Sequence, residues 1–165
     1  TVELRGGAEI DLGAIAKGAA LDAAREVLLD AGVASALLHG GASTIVAIGA
    51  PPREDAWRVR LGDGPGAPSV RLRDQGVSYS SARPGGVEHV MDPRSDQPTR
   101  ACQASACVGD SAMETDAWAT VLFVRGERPM RMSERLTSAV RIDGAWALAG
   151  AARGRIERCT KEGIR

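Results

Sequence analysis

The chain reads as a single α+β domain, a mainly antiparallel sheet with packed helices. Short segments of apolar alternation flank tight-turn signals, which is the pattern of hairpins. Two segments of helical periodicity are interspersed among them. The composition agrees: 20 glycines and 8 prolines beside 3% aromatics in 165 residues describe a small-residue core with frequent turns. The domain is assigned to residues 1–150 and a charged tail to 151–165.

Taken in order, Val2 to Ile10 reads as strand and turn. Leu12 to Leu29 reads as a helix stopped by Gly32, with Ala16, Ala19, Ala20, Ala23, Val27 and Leu28 as its apolar face. Ser35 to Leu38 and Thr44 to Ile48 read as strands around the Gly40-Gly41 turn. Trp57, Val59 and Leu61 alternate with Arg58 and Arg60, and Val70 with Leu72 repeats the pattern beyond the Gly-Pro-rich turn at Gly62 to Pro68. Ala104 to Val108 is a further strand. Ser111 followed by Glu114 has capping-box spacing and starts a second helix. Val140 to Ile142 and Trp146 to Leu148 flank Asp143-Gly144, a strong hairpin signal. The last dozen residues are charged and are expected to fray. The helices are expected to cover one side of the sheet.

Composition also excludes functions. Lys+Arg and Asp+Glu both number 21, so no net field favours nucleic acid or an anionic membrane. The longest apolar runs, such as Val121 to Val124, are far too short to span a bilayer. Cys102, Cys107 and Cys159 match neither a CxxC pair nor a disulfide framework and read as buried structural thiols. The chain opens at Thr1 with no signal-like segment, which fits a processed protein or a piece of a longer one.

The segment from Glu88 to Gly126 carries the chemistry. His89 stands three residues ahead of the Asp92-Pro93 turn. Asp116 and Thr120 lie one turn apart on the second helix and project from the same face. A carboxylate and a hydroxyl so placed can share one hard cation, and Mg²⁺ held by few protein oxygens usually has phosphate among its other ligands. Earlier in the chain, Asp11, Gly13, Lys17 and Gly18 surround the start of the first helix, where free N–H groups favour anions. The spacing is neither GxxxxGK[ST] nor GxGxxG, so a plain helix start and a phosphate or nucleotide site both stay open. His39 and the three tryptophans, Trp57, Trp118 and Trp146, read as structural.

Four segments, IDLGAIAKGAALD, LLHGGASTIVAIG, EHVMDPRSDQP and ETDAWATVLFVRG, resemble in order and approximate spacing the ApbE family of FAD:protein FMN transferases. The likeness runs from about Val2 to Gly144. It implies an ApbE-like, T-fold-related domain that uses Mg²⁺ and FAD, passes FMN to a Thr or Ser hydroxyl of an acceptor protein, and releases AMP. By motif, it implies that Asp116 and Thr120 hold Mg²⁺ through side chains and Ala14 through its carbonyl. Asp11, Lys17 and Val90 fall at flavin-nucleotide contacts, and His89 falls beside the reacting phosphates, as base or as phosphate hydrogen-bond donor. The resemblance also points to the bacterial cell envelope or periplasm.

Departures from the family pattern are visible. Ser95-Asp96 replaces the usual Thr-Gly, putting an αL-tolerant acid where a turn glycine is common. Ala42 stands where an acid or amide follows the double glycine, and Ser80-Ser81 replaces a Ser-Gly pair. Full family members have roughly twice as many residues. Three readings follow: a fragment, a short member that completes its pocket as a homodimer, or a chain that has lost transfer. Alternatives to transferase activity are FAD pyrophosphatase activity, giving FMN and AMP, or a non-catalytic flavin-binding or interaction domain.

Overall fold

The computed structural model describes residues 3–7, 9–62, 67–82, 90–150, 156 and 157. Among the described residues, eleven strands and two helices run in the order α1 (Ala16–Asp30), β1 (Ala36–Gly40), β2 (Thr44–Ile48), β3 (Trp57–Arg60), β4 (Ser69–Leu72), β5 (Gly76–Ser81), β6 (Met91–Asp92), β7 (Gln97–Pro98), β8 (Ala104–Gly109), α2 (Ala112–Arg125), β9 (Thr137–Ile142), β10 (Ala145–Ala149) and β11 (Ile156–Glu157). The main sheet has six strands in the order β1-β2-β5-β8-β9-β10, and every adjacent pair is antiparallel. A three-stranded sheet, β11-β4-β3, and the β6–β7 hairpin complete the α+β architecture.

Side chains alternate across the main sheet, so its two faces have different partners. Ala47, Val77, Ala106, Val108 and Ala139 point to one face and pack with Val59, Leu61, Val70, Leu72 and Ile156 of the small sheet. The other face receives both helices, α1 on β1 and β2, and α2 on β2, β5, β8 and β9. There Cys107 and Val140 meet Ala119, Leu122 and Phe123 of α2. Helices do cover one side only, and the second sheet covers the other.

Most elements follow the local signals. Asp143 and Gly144 both take positive φ, 49° and 78°, as a two-residue hairpin turn of this hand requires. Ser111 caps α2 by accepting the Glu114 N–H at 3.2 Å, and Gly126 ends it in the left-handed conformation. Asp96 also adopts the left-handed region, φ 54°, as its replacement of a turn glycine predicts. Cys102 and Cys107 are buried free thiols, and burial pushes the Cys102 thiol up to about 11; Cys159 lies outside the described residues. Among the described residues no helix is long and apolar enough to cross a membrane.

Four expectations need correction. The described part of Val2 to Ile10 forms no strand; Gly6 and Gly7 turn with positive φ, and residues 3–7, 9 and 10 are exposed and pair with no strand among the described residues. The first helix begins at Ala16, after a turn in which the Ile15 and Ala16 N–H groups bond the Leu12 carbonyl. Its buried residues are Gly18 and Leu21, while Ala16, Ala20, Ala23 and Val27 face outward, Val27 with 68% exposure. Finally, Ile156 and Glu157 do not belong to a loose tail: they pair with Val70 and Ser69 of β4. The central strand β5 carries two glycine- or serine-rich ends and gave too little apolar alternation to be identified.

Candidate functional site

The site forms where α1 and α2 cross, and a small residue creates it. A Cβ at Gly18 would lie 2.2 Å from the Ala112 carbonyl oxygen, so only glycine lets the helices approach this closely. At that contact the helices exchange carboxylates. Asp22 of α1 accepts from Ser111 Oγ at 2.8 Å, the Ala112 N–H at 2.9 Å and the Met113 N–H at 3.0 Å, satisfying donors at the start of α2. Asp116 of α2 returns the interaction: its Oδ2 accepts the Gly18 N–H at 3.1 Å in the first turn of α1. Ile15, the N-cap residue of α1, supplies no side-chain cap of its own.

Asp116 is 5% exposed, and both carboxylate oxygens have partners. Oδ1 accepts from Thr44 Oγ1 at 3.2 Å. Oδ2 faces the Lys17 ammonium at 3.6 Å, and the same ammonium donates to the Gly13 carbonyl at 3.1 Å. A positive group therefore already bridges this carboxylate and the loop that precedes α1. Because Gly18 gives its N–H to Asp116, it does not bond the Ala14 carbonyl four residues back, its usual helical partner. No donor among the described residues is paired with that carbonyl.

Thr120, one turn along α2, is half-buried and donates its proton to the Asp116 backbone carbonyl at 3.4 Å. With its proton directed there, the hydroxyl lone pairs are left as acceptors. Asp11 is exposed and fastens the loop by accepting the Gly13 N–H at 2.6 Å. Val90 is half-buried and packs against the cluster built on Leu122 and Phe123. His89 lies outside the described residues. Lys17 and Asp116 thus meet at the helix crossing, Thr120 lies one turn further along α2, and Ala14 and Asp11 belong to the segment leading into α1.

Asp92 sits in the β6–β7 hairpin, where Arg94 donates to it from its backbone at 2.9 Å and from its guanidinium at 2.6 Å. Those bonds hold the Asp92 carboxyl at about 2, below its ordinary 3.8. A shallow depression of about 640 Å³ runs along this hairpin, lined by Ser95, Thr99 and Arg100 among others, and none of the Asp116 group lines it.

The sequence reading missed Asp22, Thr44, Ser78 and Thr115. Asp22 closes the IDLGAIAKGAALD segment, and its offset of five from Lys17 was the one available signal. The three hydroxyls carry no spacing signature, because β2, β5 and α2 bring them together from distant parts of the chain.

Comparison with known proteins gives concordant matches. Residues 2–142 match the model of the ApbE family. A protein of Rhodobacter capsulatus named FAD:protein FMN transferase is 36% identical over 132 residues, covering 72% of this chain and 24% of that protein. Among solved structures, the ApbE protein of Thermotoga maritima superposes with a TM-score of 0.76 at 24% identity, over 92% of this chain and 54% of that one. The flavinyl transferase ApbE of Pseudomonas stutzeri gives 0.66 at 27% identity, over 86% and 48%. The chain spans about half the length of these solved relatives and about a quarter of the curated one.

Proposed function

The chain belongs to the ApbE family, and from that premise we propose that it serves Mg²⁺-dependent transfer of FMN from FAD to a Thr or Ser hydroxyl of an acceptor protein, releasing AMP. The observation that carries this reading is the buried Asp116 carboxylate at the N-terminus of α1, with a cationic group already seated against it. The names of the Rhodobacter capsulatus and Pseudomonas stutzeri relatives support the flavin-transfer part of this reading.

The donor set suits a hard divalent cation. Asp116 would contribute carboxylate oxygen, Thr120 a hydroxyl whose proton points to the Asp116 backbone carbonyl, and Ala14 a carbonyl that no N–H among the described residues engages, all of the oxygen type that Mg²⁺ prefers. Among the described residues no group of three His, Cys, Asp or Glu side chains gathers. That leaves several coordination positions for phosphate and water, as in other Mg²⁺-phosphate sites. When bound, the ion would offset charge on the pyrophosphate as it is cleaved.

The chain's own residues would do the remaining work. Lys17 is close enough to Asp116 to turn from the Gly13 carbonyl to a phosphate oxygen. The first turn of α1 adds its dipole beside the same anion. Asp11 keeps the loop in shape through Gly13. His89 is proposed to take the proton of the acceptor hydroxyl or to donate to a phosphate oxygen.

Incubating the protein with FAD, Mg²⁺ and a peptide bearing an acceptor threonine tests the proposal. The expected result is a peptide heavier by one FMN less one water, esterified at the threonine oxygen, with one AMP released for each peptide modified. AMP without modified peptide would replace transfer by hydrolysis. Bound FAD with no AMP would replace both by a flavin-binding role.

A further inference from the structure

Behind Asp116 lies a run of buried hydroxyls that ends on its carboxylate. Thr44 on β2 is 0% exposed and its Oγ1 is 3.2 Å from Asp116 Oδ1. Ser78, the register partner of Thr44 on β5, puts its Oγ 3.4 Å from Thr44 Oγ1 and 3.1 Å from Thr115 Oγ1. Thr115 Oγ1 also lies 3.0 Å from the Ala112 carbonyl oxygen. Ser78 and Thr115 expose 1% and 0%.

Proton counting fixes the direction at the carboxylate end of this run. The carboxylate is the acceptor, so Thr44 donates to it. With its one proton used, Thr44 can only accept from Ser78. Thr115 gives its proton to the Ala112 carbonyl, and either hydroxyl can be the donor in its 3.1 Å contact with Ser78. Aligned in this sense, the Ser78-to-Thr44 bond polarises the Thr44 hydroxyl and strengthens its hold on Asp116. Three hydroxyls buried between a sheet and a helix would be costly without such pairing.

We infer that Thr44 is a positioning residue for the cation seat: it holds Asp116 Oδ1 in the sheet–helix interface and so turns Oδ2 toward Lys17 and the start of α1. The inference rests on the proposed reading of Asp116 as a cation ligand. The division of partners supports it, because Oδ1 meets Thr44 while Oδ2 meets the Gly18 N–H and the Lys17 ammonium. Without the Thr44 hydroxyl the carboxylate loses the contact that selects its rotamer, and Ser78 loses its acceptor.

The test compares wild type, Thr44→Val and Thr44→Ser for Mn²⁺ affinity by electron paramagnetic resonance, with thermal unfolding recorded without metal. Thr44→Val is expected to weaken Mn²⁺ binding about tenfold, the scale of one hydrogen bond to a charged acceptor. Thr44→Ser keeps the hydroxyl and is expected to stay within about threefold of wild type. A folded Thr44→Val protein with wild-type affinity overturns the inference and leaves the cation reading standing. Should Thr44→Val fail to fold, Ser78→Ala removes only the next donor and is expected to weaken binding about threefold; unchanged affinity there overturns the inference. Wild-type protein that binds no Mn²⁺, or keeps its affinity after Asp116→Ala, overturns the cation reading itself.

Discussion

At Gly18 one missing methyl group decides whether Asp116 can reach the start of α1. A Cβ there would press on the Ala112 carbonyl oxygen and the Met113 Cα, both backbone atoms that cannot swing aside. Gly18→Ala should therefore destabilise the fold by about 1–3 kcal/mol, the range for overpacking, despite alanine's better helix propensity. A denaturant midpoint equal to or above wild type would contradict this. Asp92 gives a second residue-scale prediction, in pH. Its folded value is depressed by Arg94, so their interaction stabilises the hairpin above the ordinary 3.8 and is lost as pH falls through about 2. Arg94→Met should bring the Asp92 midpoint, followed by carboxyl carbon NMR, back toward 3.8; a midpoint that stays near 2 would show another cause.

At the scale of elements, the two helices are coupled by carboxylates that each lends to the other. Asp22→Ala would strip the start of α2 of three bonds and should cost about 0.5–2 kcal/mol, the range for a lost cap, measurable by urea unfolding. No loss would mean that Ser111 alone suffices. The same contact explains where sequence reading succeeded and failed. Hairpins at Gly40-Gly41 and Asp143-Gly144, and the capped start of α2, were legible because turn and cap chemistry is local. The buried side of α1 was not. The outward face carries Ala16, Ala20, Ala23 and Val27, whereas the inward face holds Gly18, Leu21 and the polar Lys17, Asp22 and Arg25, whose partners lie far along the chain. Periodicity of apolar residues ranks such a face last.

At the scale of the molecule, two sheets and two helices enclose one sandwich whose middle layer is the six-stranded sheet. Ile156, 6% exposed against Val70, ties the far end of the described chain to the small sheet. Ile156→Ala should cost about 2–5 kcal/mol, as for other buried aliphatics. A loss within error of zero would show that β11 contributes nothing. The candidate site was partly legible for a related reason. Asp116, Thr120, Lys17 and Ala14 sit in contiguous motifs, but Thr44, Ser78 and Thr115 act only once two strands and a helix bring them together.

The central claim is that Asp116 anchors a cation where FAD is cleaved. Its most direct test is the rate of AMP release from FAD across a Mg²⁺ titration, for wild type and for Asp116→Ala. Saturable, Mg²⁺-dependent release in wild type, abolished in the variant while its unfolding midpoint shows it folded, is the predicted result. Equal release from both proteins, or release that ignores Mg²⁺, would contradict it.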